Sequence, residues 1–218
     1  KEVLPKIVTT GFPSLSRQGL SSISSILLNT AAGAYGDAAI AGMTITTKIV
    51  MFIASIMIGV GQGFSPVSGY NFGAKRYDRV KQAYTFTLTA GFILMGSLAT
   101  IIFIFANQIM NAFINDLNVV KIGVAALRWQ VAFLPFHSLI IGTNMLMQST
   151  RHIKSATYLS MNRNGIYFIP AILILPRVIG LQGVEMAQFV ADVLSAITAV
   201  PFAISFFKKM SNYNSEQN

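Results

Sequence analysis

Six long apolar runs, separated by short polar segments, dominate the chain. About 20 residues of α-helix are needed to cross a bilayer core about 30 Å thick, and each run reaches that length. The predicted spans cover about residues 13–34, 38–62, 84–106, 122–147, 154–175 and 184–207. The pattern therefore predicts an all-α, polytopic membrane protein whose six transmembrane helices form a single lobe over residues 1–218.

The composition favours a membrane protein over a soluble domain. Charged residues make up 11% of the chain and apolar residues 53%, whereas a soluble domain carries about 25% charged residues. The chain contains no cysteine, which excludes a disulfide scaffold, a cysteine-ligated zinc site and a thiol nucleophile. It also contains neither H-E-x-x-H nor G-x-S-x-G. We therefore expect no enzyme activity, no bound metal and no cofactor.

Basic residues indicate how the spans are oriented. Their strongest cluster lies between the second and third spans and is predicted to form a cytoplasmic loop: Lys75, Arg76, Arg79 and Lys81. Further basic pairs fall at both ends of the chain and between the fourth and fifth spans, which places all of them on one side. Positive charge prefers the cytoplasm, so both ends are predicted there. Topology then explains the net charge of +9, and we expect membrane lipids rather than nucleic acid as partners.

The segment between residues 61 and 81 is the most distinctive stretch of the sequence. Four glycines and Pro66 interrupt its helical pattern, and these residues disfavour a continuous helix. We predict a structured turn followed by a short interfacial helix over residues 75–84. A gate that moves during function is the alternative interpretation, because loops often carry function.

Polar side chains recur at helical spacing inside two of the predicted spans. The first span carries Gln18, Ser22, Ser25 and Asn29, and the fourth carries a similar stripe. Two interpretations stay open, namely polar contacts between packed helices and a water-filled cavity. The candidate residues for a substrate cavity are Gln18, Ser22, Ser25, Asn29, Met51, His137, Asn144 and Gln148.

Ionisable residues within the spans are candidates for ion or proton coupling. Asp192 is predicted to lie within the sixth span, either as a functional carboxylate or in a fixed ion pair with a Lys or Arg. His137 is either a proton relay or a neutral, hydrogen-bonded side chain. Arg163 lies near a span end and is predicted to reach the headgroups. Glu185 is predicted to be hydrated at the outer end of its helix.

Three segments resemble the multidrug and toxic compound extrusion (MATE) transporters, and especially their MepA-type branch. Residues 59–74 (GVGQGFSPVSGYNFGA), which precede the basic cluster, are similar to the signature in the middle of the family's second lobe. Residues 11–14 (GFPS), with Arg17 and Gln18, resemble the start of the branch's seventh helix. Residues 183–188 (GVEMAQ) and Asp192 are similar to the last helix, in which the family usually has Trp at the position of Glu185. The resemblance covers essentially the whole chain, as helices seven to twelve of a twelve-helix protein.

The resemblance implies a function. MATE transporters export drugs and other amphipathic, often cationic compounds by antiport with Na⁺ or H⁺, and two lobes rock around a central cavity. A chain like this one is then the C-terminal lobe, its partners are an N-terminal lobe and a small-molecule substrate, and its location is a bacterial plasma (inner) membrane. We also expect the chain to be part of a longer protein.

The sequence departs from the family at the coupling site. Some members carry coupling carboxylates on helices seven and ten, where this chain has Ser21 and residues 137–139, without an acid. We therefore predict that the main coupling carboxylate lies in the N-terminal lobe, with Asp192 and His137 as candidates in this one. The alternatives are a flippase for lipids or lipid-linked oligosaccharides, and a membrane subunit that does not transport.

Overall fold

Helices make up almost all of the part of the chain that the computed structural model describes, namely the backbone of residues 3–215 and the side chains of residues 11–211. Two helical rods are interrupted, one by a 3₁₀ turn at Leu134–Phe136 and one by a π-helical segment at Asn162–Ile166. The predicted all-α fold class is confirmed. The α-helices are α1 (Val3–Gly33), α2 (Asp37–Gly73), α3 (Tyr77–Phe113), α4 (Leu117–Ala132), α5 (His137–Ser149), α6 (Ile153–Met161), α7 (Phe168–Ile179) and α8 (Leu181–Ser215).

Each of the six predicted spans lies on helical backbone, but they differ in how clearly they are suited to a membrane. Within the described residues, three helices are long and apolar enough to cross one, namely α2, α3 and α8. The bent pair α4–α5 makes a fourth span if the pair crosses as one unit. The first predicted span is more polar, and the fifth is broken between α6 and α7. Membrane crossing by these two stays a prediction.

Pro135 explains the bend in the fourth span. Proline has no backbone N–H and cannot donate to the preceding helical turn. The chain therefore forms a 3₁₀ turn at this point, and α4 and α5 meet at an angle of 43°. The hydroxyl of Ser138 donates to the carbonyl oxygen of Pro135 at 2.9 Å. The bend therefore has an identifiable cause in the sequence.

The prediction that the glycines and Pro66 interrupt the helix within residues 61–81 is wrong, because α2 continues to Gly73. Its glycines allow close packing against α5. A Cβ atom on Gly61 would lie 3.0 Å from Met145 Cγ, and one on Gly69 would lie 3.2 Å from the carbonyl oxygen of Ser149. Close contact between two helices therefore offsets the low helix propensity of glycine.

The turn itself is limited to three residues, and it changes where the basic cluster lies. Lys75 has a φ of 56°, which reverses the chain between Gly73 and Tyr77. Lys75 and Arg76 lie in the turn, and both are exposed. Arg79 and Lys81 belong to the beginning of α3, which replaces the predicted short interfacial helix. The four cations still cluster at one end of the lobe.

Large apolar side chains cover much of the outer surface. On α3, the exposed fraction is 75% for Phe86, 63% for Ile93 and 61% for Ile104. Buried methionines, among them Met57, fill the space between α2, α3 and α4. An apolar surface of this extent marks a contact with membrane or protein. The outer face of α3 is therefore suited to lipid.

Candidate substrate cavity and buried ion pair

A cavity of about 290 Å³ lies between α1, α2 and α5. α1 and α2 supply most of its wall, α6 and the π-helical segment add two residues each, and α4, α7 and α8 add one each. Both polar and apolar side chains line it, as in sites for amphipathic ligands. Its polar lining consists of Arg17, Gln18, Ser21, Ser24, Ser25, Thr47, Ser55, Gln130, Asn144, Ser160, Arg163, Asn164 and Gln188.

The structure brings together part of the set that the sequence predicts. Gln18 and Ser25 of α1 line the cavity, as do Met51 of α2 and Asn144 of α5. Ser22 and Asn29 are exposed on α1 but lie outside the cavity wall. The face of α1 that lines the cavity runs through Ser21, Ser24 and Leu28. This face is rotated about the helix axis relative to the stripe of polar residues that the sequence predicts.

The polar stripe of α5 connects helices more than it lines the cavity. The amide nitrogen of Asn144 donates to the carbonyl oxygen of Ala156 and to Ser160 Oγ, each at 2.9 Å. Gln148 donates to Asn144 Oδ1 at 2.6 Å and does not line the cavity. Of the two open interpretations, polar contact between packed helices therefore describes Gln148. Asn144 takes part in both roles.

A buried carboxylate joins three segments beside the cavity. Asp192 of α8 is 1% exposed, and its Oδ2 lies 3.0 Å from His137 Nε2. Its Oδ1 accepts from Arg163 Nε at 2.6 Å and from Gln188 Nε2 at 3.0 Å. The Asp192 carboxylate thus accepts from three donors. These contacts stabilise its negative charge, which would be costly in a buried position without partners. His137 is 1% exposed and lies behind the cavity wall, not in it as predicted.

The prediction that Arg163 reaches the headgroups is wrong, because its side chain turns inward to Asp192. The π-helical segment explains the difference, since it widens one turn of the helix and changes the direction of the residues within it. α1 packs closely on this segment. The hydroxyl of Ser24 donates to the carbonyl oxygen of Asn164, and Gly165 gives room to Leu20. Arg163 consequently lines the cavity while it binds Asp192.

Two further polar side chains have no hydrogen-bond partner among the described residues. Glu185 is 5% exposed, but its carboxylate oxygens are not among the fully buried unpaired atoms, so its hydration at the outer end of the helix stays a prediction. Gln130 is 3% exposed and lines the cavity, yet no described residue bonds to its amide. The seven-residue spacing from Gln130 to His137 and Asn144 indicates the polar face of this span. It does not distinguish residues that line the cavity from residues that are buried behind its wall.

These features define a class of protein, namely a polytopic all-α membrane lobe with a polar cavity between its helices. The MatE family model matches residues 13–173. The chain belongs to the MatE family.

Relatives and solved structures agree with this assignment. The multidrug export protein MepA of Staphylococcus saprophyticus is 24% identical over 200 residues, which are 92% of this chain and 44% of that protein. The MepA protein of Staphylococcus aureus is 25% identical with the same coverage. The chain thus spans about half the length of the curated relatives it matches.

The fold matches one half of larger structures. One is the outward-facing conformation of a multidrug resistance MATE family transporter of the MOP superfamily, with a TM-score of 0.90 and 21% identity. That match covers 97% of this chain and 48% of the larger one. A MATE structure in the bent conformation also has a TM-score of 0.90 and 21% identity, and the match covers 99% of this chain and 48% of that one. The predicted resemblance to the MATE family is confirmed.

Proposed function

We propose that this chain is the C-terminal lobe of an exporter of drugs and other amphipathic compounds. The observation that carries the proposal is a cavity of mixed polar and apolar lining in a chain of the MatE family. A second, N-terminal lobe forms the opposite wall, since the matched relatives are about twice as long as this chain. The lobe lies in a bacterial plasma membrane with both of its ends in the cytoplasm, which the position of the basic cluster at one end supports.

The mechanism that we propose is alternating access, in which the two lobes rock about the substrate and an ion moves inward. The outer face of α3 is suited to lipid, whereas α1 and α2 hold most of the cavity wall. The second lobe therefore packs on the side of α1 and α2. Movement between the lobes then exposes the cavity to one side of the membrane at a time.

Filling the cavity is expected to change which compounds are exported. Ser25 lines the cavity, and its hydroxyl donates only within its own helix, to the carbonyl oxygen of Ser21 at 2.9 Å. In the full-length protein, Ser25→Leu should reduce the export of bulky dyes at least about fivefold, which corresponds to a loss of about 1 kcal/mol of binding. Export rates for cationic, neutral and anionic dyes from cells that lack other exporters measure the effect.

Ser97→Leu is the matched control for this experiment. Ser97 is exposed on α3, and its hydroxyl makes the same kind of bond, to the carbonyl oxygen of Ile93 at 2.8 Å. Export should be unchanged in this variant. Equal export of every dye by both variants and the wild type would contradict the cavity assignment. No export by the wild-type protein would favour a membrane subunit that does not transport.

Ion coupling through this lobe is proposed to involve Asp192 and His137, with the main coupling carboxylate in the N-terminal lobe. Three donors hold Asp192, so a coupling ion that binds this carboxylate competes with them. If Asp192 couples the ion, Asp192→Asn should reduce dye export driven by an imposed H⁺ or Na⁺ gradient about tenfold in proteoliposomes. Glu185→Gln is the comparison, because Glu185 is also buried but has no described partner. If dye export by Asp192→Asn depends on the gradient as in the wild type, Asp192 serves only as a partner in a structural ion pair.

A further inference from the structure

The charge of the cavity wall is positive. Two arginines, Arg17 and Arg163, line the cavity, and no Asp or Glu among the described residues does so. Asp192 neutralises Arg163 from behind the wall. Arg17 has no such partner in the described part of the chain, and it repels Arg163 electrostatically. The wall of this lobe therefore carries an uncompensated positive charge.

Arg163 keeps free donors although it binds Asp192. Its contact with the carboxylate runs through Nε at 2.6 Å and Nη2 at 3.5 Å, so it approaches from one side of the guanidinium. A guanidinium carries more N–H donors than one carboxylate occupies in this geometry. No described residue accepts from the Nη1 group or from the second hydrogen of Nη2. Because the Arg163 side chain is 24% exposed and lines the cavity, a second anion can bind there.

Neutral donors complete the site. The Gln130 amide is nearly buried, lines the cavity and has no described hydrogen-bond partner. Gln18 of α1 lies next to Arg17 in sequence, and its side chain also lines the wall. The amide of Gln130 is therefore free to donate to a ligand in the cavity, and Arg17 offers a cation without a described partner. An oxyanion in the cavity would satisfy both.

We propose that Arg17, assisted by Arg163 and Gln130, binds an oxyanion group of the transported molecule, such as a carboxylate or a phosphate. The inference rests on the proposed export function and specifies its substrate class. It differs from the expectation of cationic substrates, because a cation would meet like charge on this wall. Arg17 supplies the uncompensated charge, and Arg163 links the bound anion to Asp192.

Fluorescent probes that share one apolar group test the charge preference. Dansylglycine carries a carboxylate, dansylated phosphoethanolamine a phosphate, dansylamide no charge and dansylcadaverine an ammonium group. Titration of each into the purified full-length transporter in detergent should give affinities for one or both anionic probes at least about tenfold above dansylamide, as a charge-assisted hydrogen bond provides. Dansylcadaverine should bind most weakly. The order of the carboxylate and phosphate probes then identifies the type of oxyanion.

Variants assign the preference to Arg17. Arg17→Gln should lower the affinity for the anionic probes about tenfold while dansylamide binding stays constant, which also controls for folding. Arg17→Lys should lower the affinity for the anionic probes less, because lysine keeps the positive charge. Arg128→Gln is the matched control, since Arg128 is exposed and lies over the ring of Phe103 at 5.3 Å, outside the cavity. It should bind all probes like the wild type.

The outcomes separate this inference from the export function. If the probes are exported but the anionic ones bind no better than dansylamide, or Arg17→Gln loses nothing, the anion site is wrong and the export function stands. A preference for dansylcadaverine would overturn the site in the same way. If no probe of any charge binds or is exported, both proposals fail.

Discussion

Gly183→Ala is expected to destabilise the lobe severely. A Cβ atom on Gly183 would lie 2.3 Å from the carbonyl carbon of Leu175, 2.4 Å from its oxygen and 2.5 Å from Pro176 N. These atoms belong to the backbone of α7, so no side-chain rotation relieves the overlap. The turn at Gly180 also fixes how α7 and α8 approach each other. We expect a loss of at least about 3 kcal/mol in the free energy of unfolding, in the range of severe core substitutions.

The yield of monodisperse protein in size-exclusion chromatography measures this effect in the full-length transporter. It should fall at least about fivefold for Gly183→Ala. Gly63→Ala is the matched control, because no atom lies within 4 Å of its added Cβ position in α2. This control should be neutral or slightly stabilising, since alanine favours a helix over glycine by about 1 kcal/mol. Equal yields for both variants would contradict the close packing of α7 on α8.

Asp192→Ala is expected to destabilise the lobe by about 3 kcal/mol. Removing one partner of a buried ion pair leaves the other charge without compensation, which costs about 3–5 kcal/mol. We expect the lower end of that range because the Arg163 side chain is 24% exposed. His137 would lose its Nε2 partner as well, and its Nδ1 has none among the described residues. Thermal unfolding of the full-length protein in detergent measures the change.

Two variants test the origin of that loss. Asp78→Ala removes an exposed carboxylate at the beginning of α3 and should change stability by less than about 1 kcal/mol. The double variant Asp192→Ala with Arg163→Ala removes both charges and should be more stable than Asp192→Ala alone. A double variant that is less stable, by the sum of the two single effects, would contradict a direct ion pair.

The sequence predicted the features that depend on local chemistry. Apolar runs long enough to cross a bilayer correspond to α2, α3 and α8. An ion pair with a Lys or Arg is one of the two interpretations that the sequence leaves open for Asp192, because a lone carboxylate among apolar helices is costly. These inferences need only the properties of a residue and of its near neighbours in sequence.

The features that depend on another helix were not predicted. Gly61 and Gly69 disfavour a helix by themselves, but their contact with α5 keeps α2 helical. The direction of Arg163 depends on a π-helical segment, which no hydrophobic period signals. Ser22 and Asn29 were predicted to line the cavity but lie outside its wall. Helical spacing identifies which residues share a polar face, but it does not show which neighbouring helix covers that face. Gln130 belongs to a recognised stripe, yet only the fold shows that it lines the cavity.

We expect the face of α1 that carries Ser25 to line a water-filled path for the exported compound. Labelling of single cysteines tests it most directly, and the 218 residues contain no cysteine of their own. In a full-length protein without other cysteines, Ser25→Cys should react with a water-soluble, charged thiosulfonate. A saturating concentration of an exported dye should slow that reaction severalfold, while Ser97→Cys on the outer face of α3 should react little and show no effect of the dye. A Ser25→Cys that stays unreactive, or reacts at the same rate with and without dye while export continues, would contradict the account.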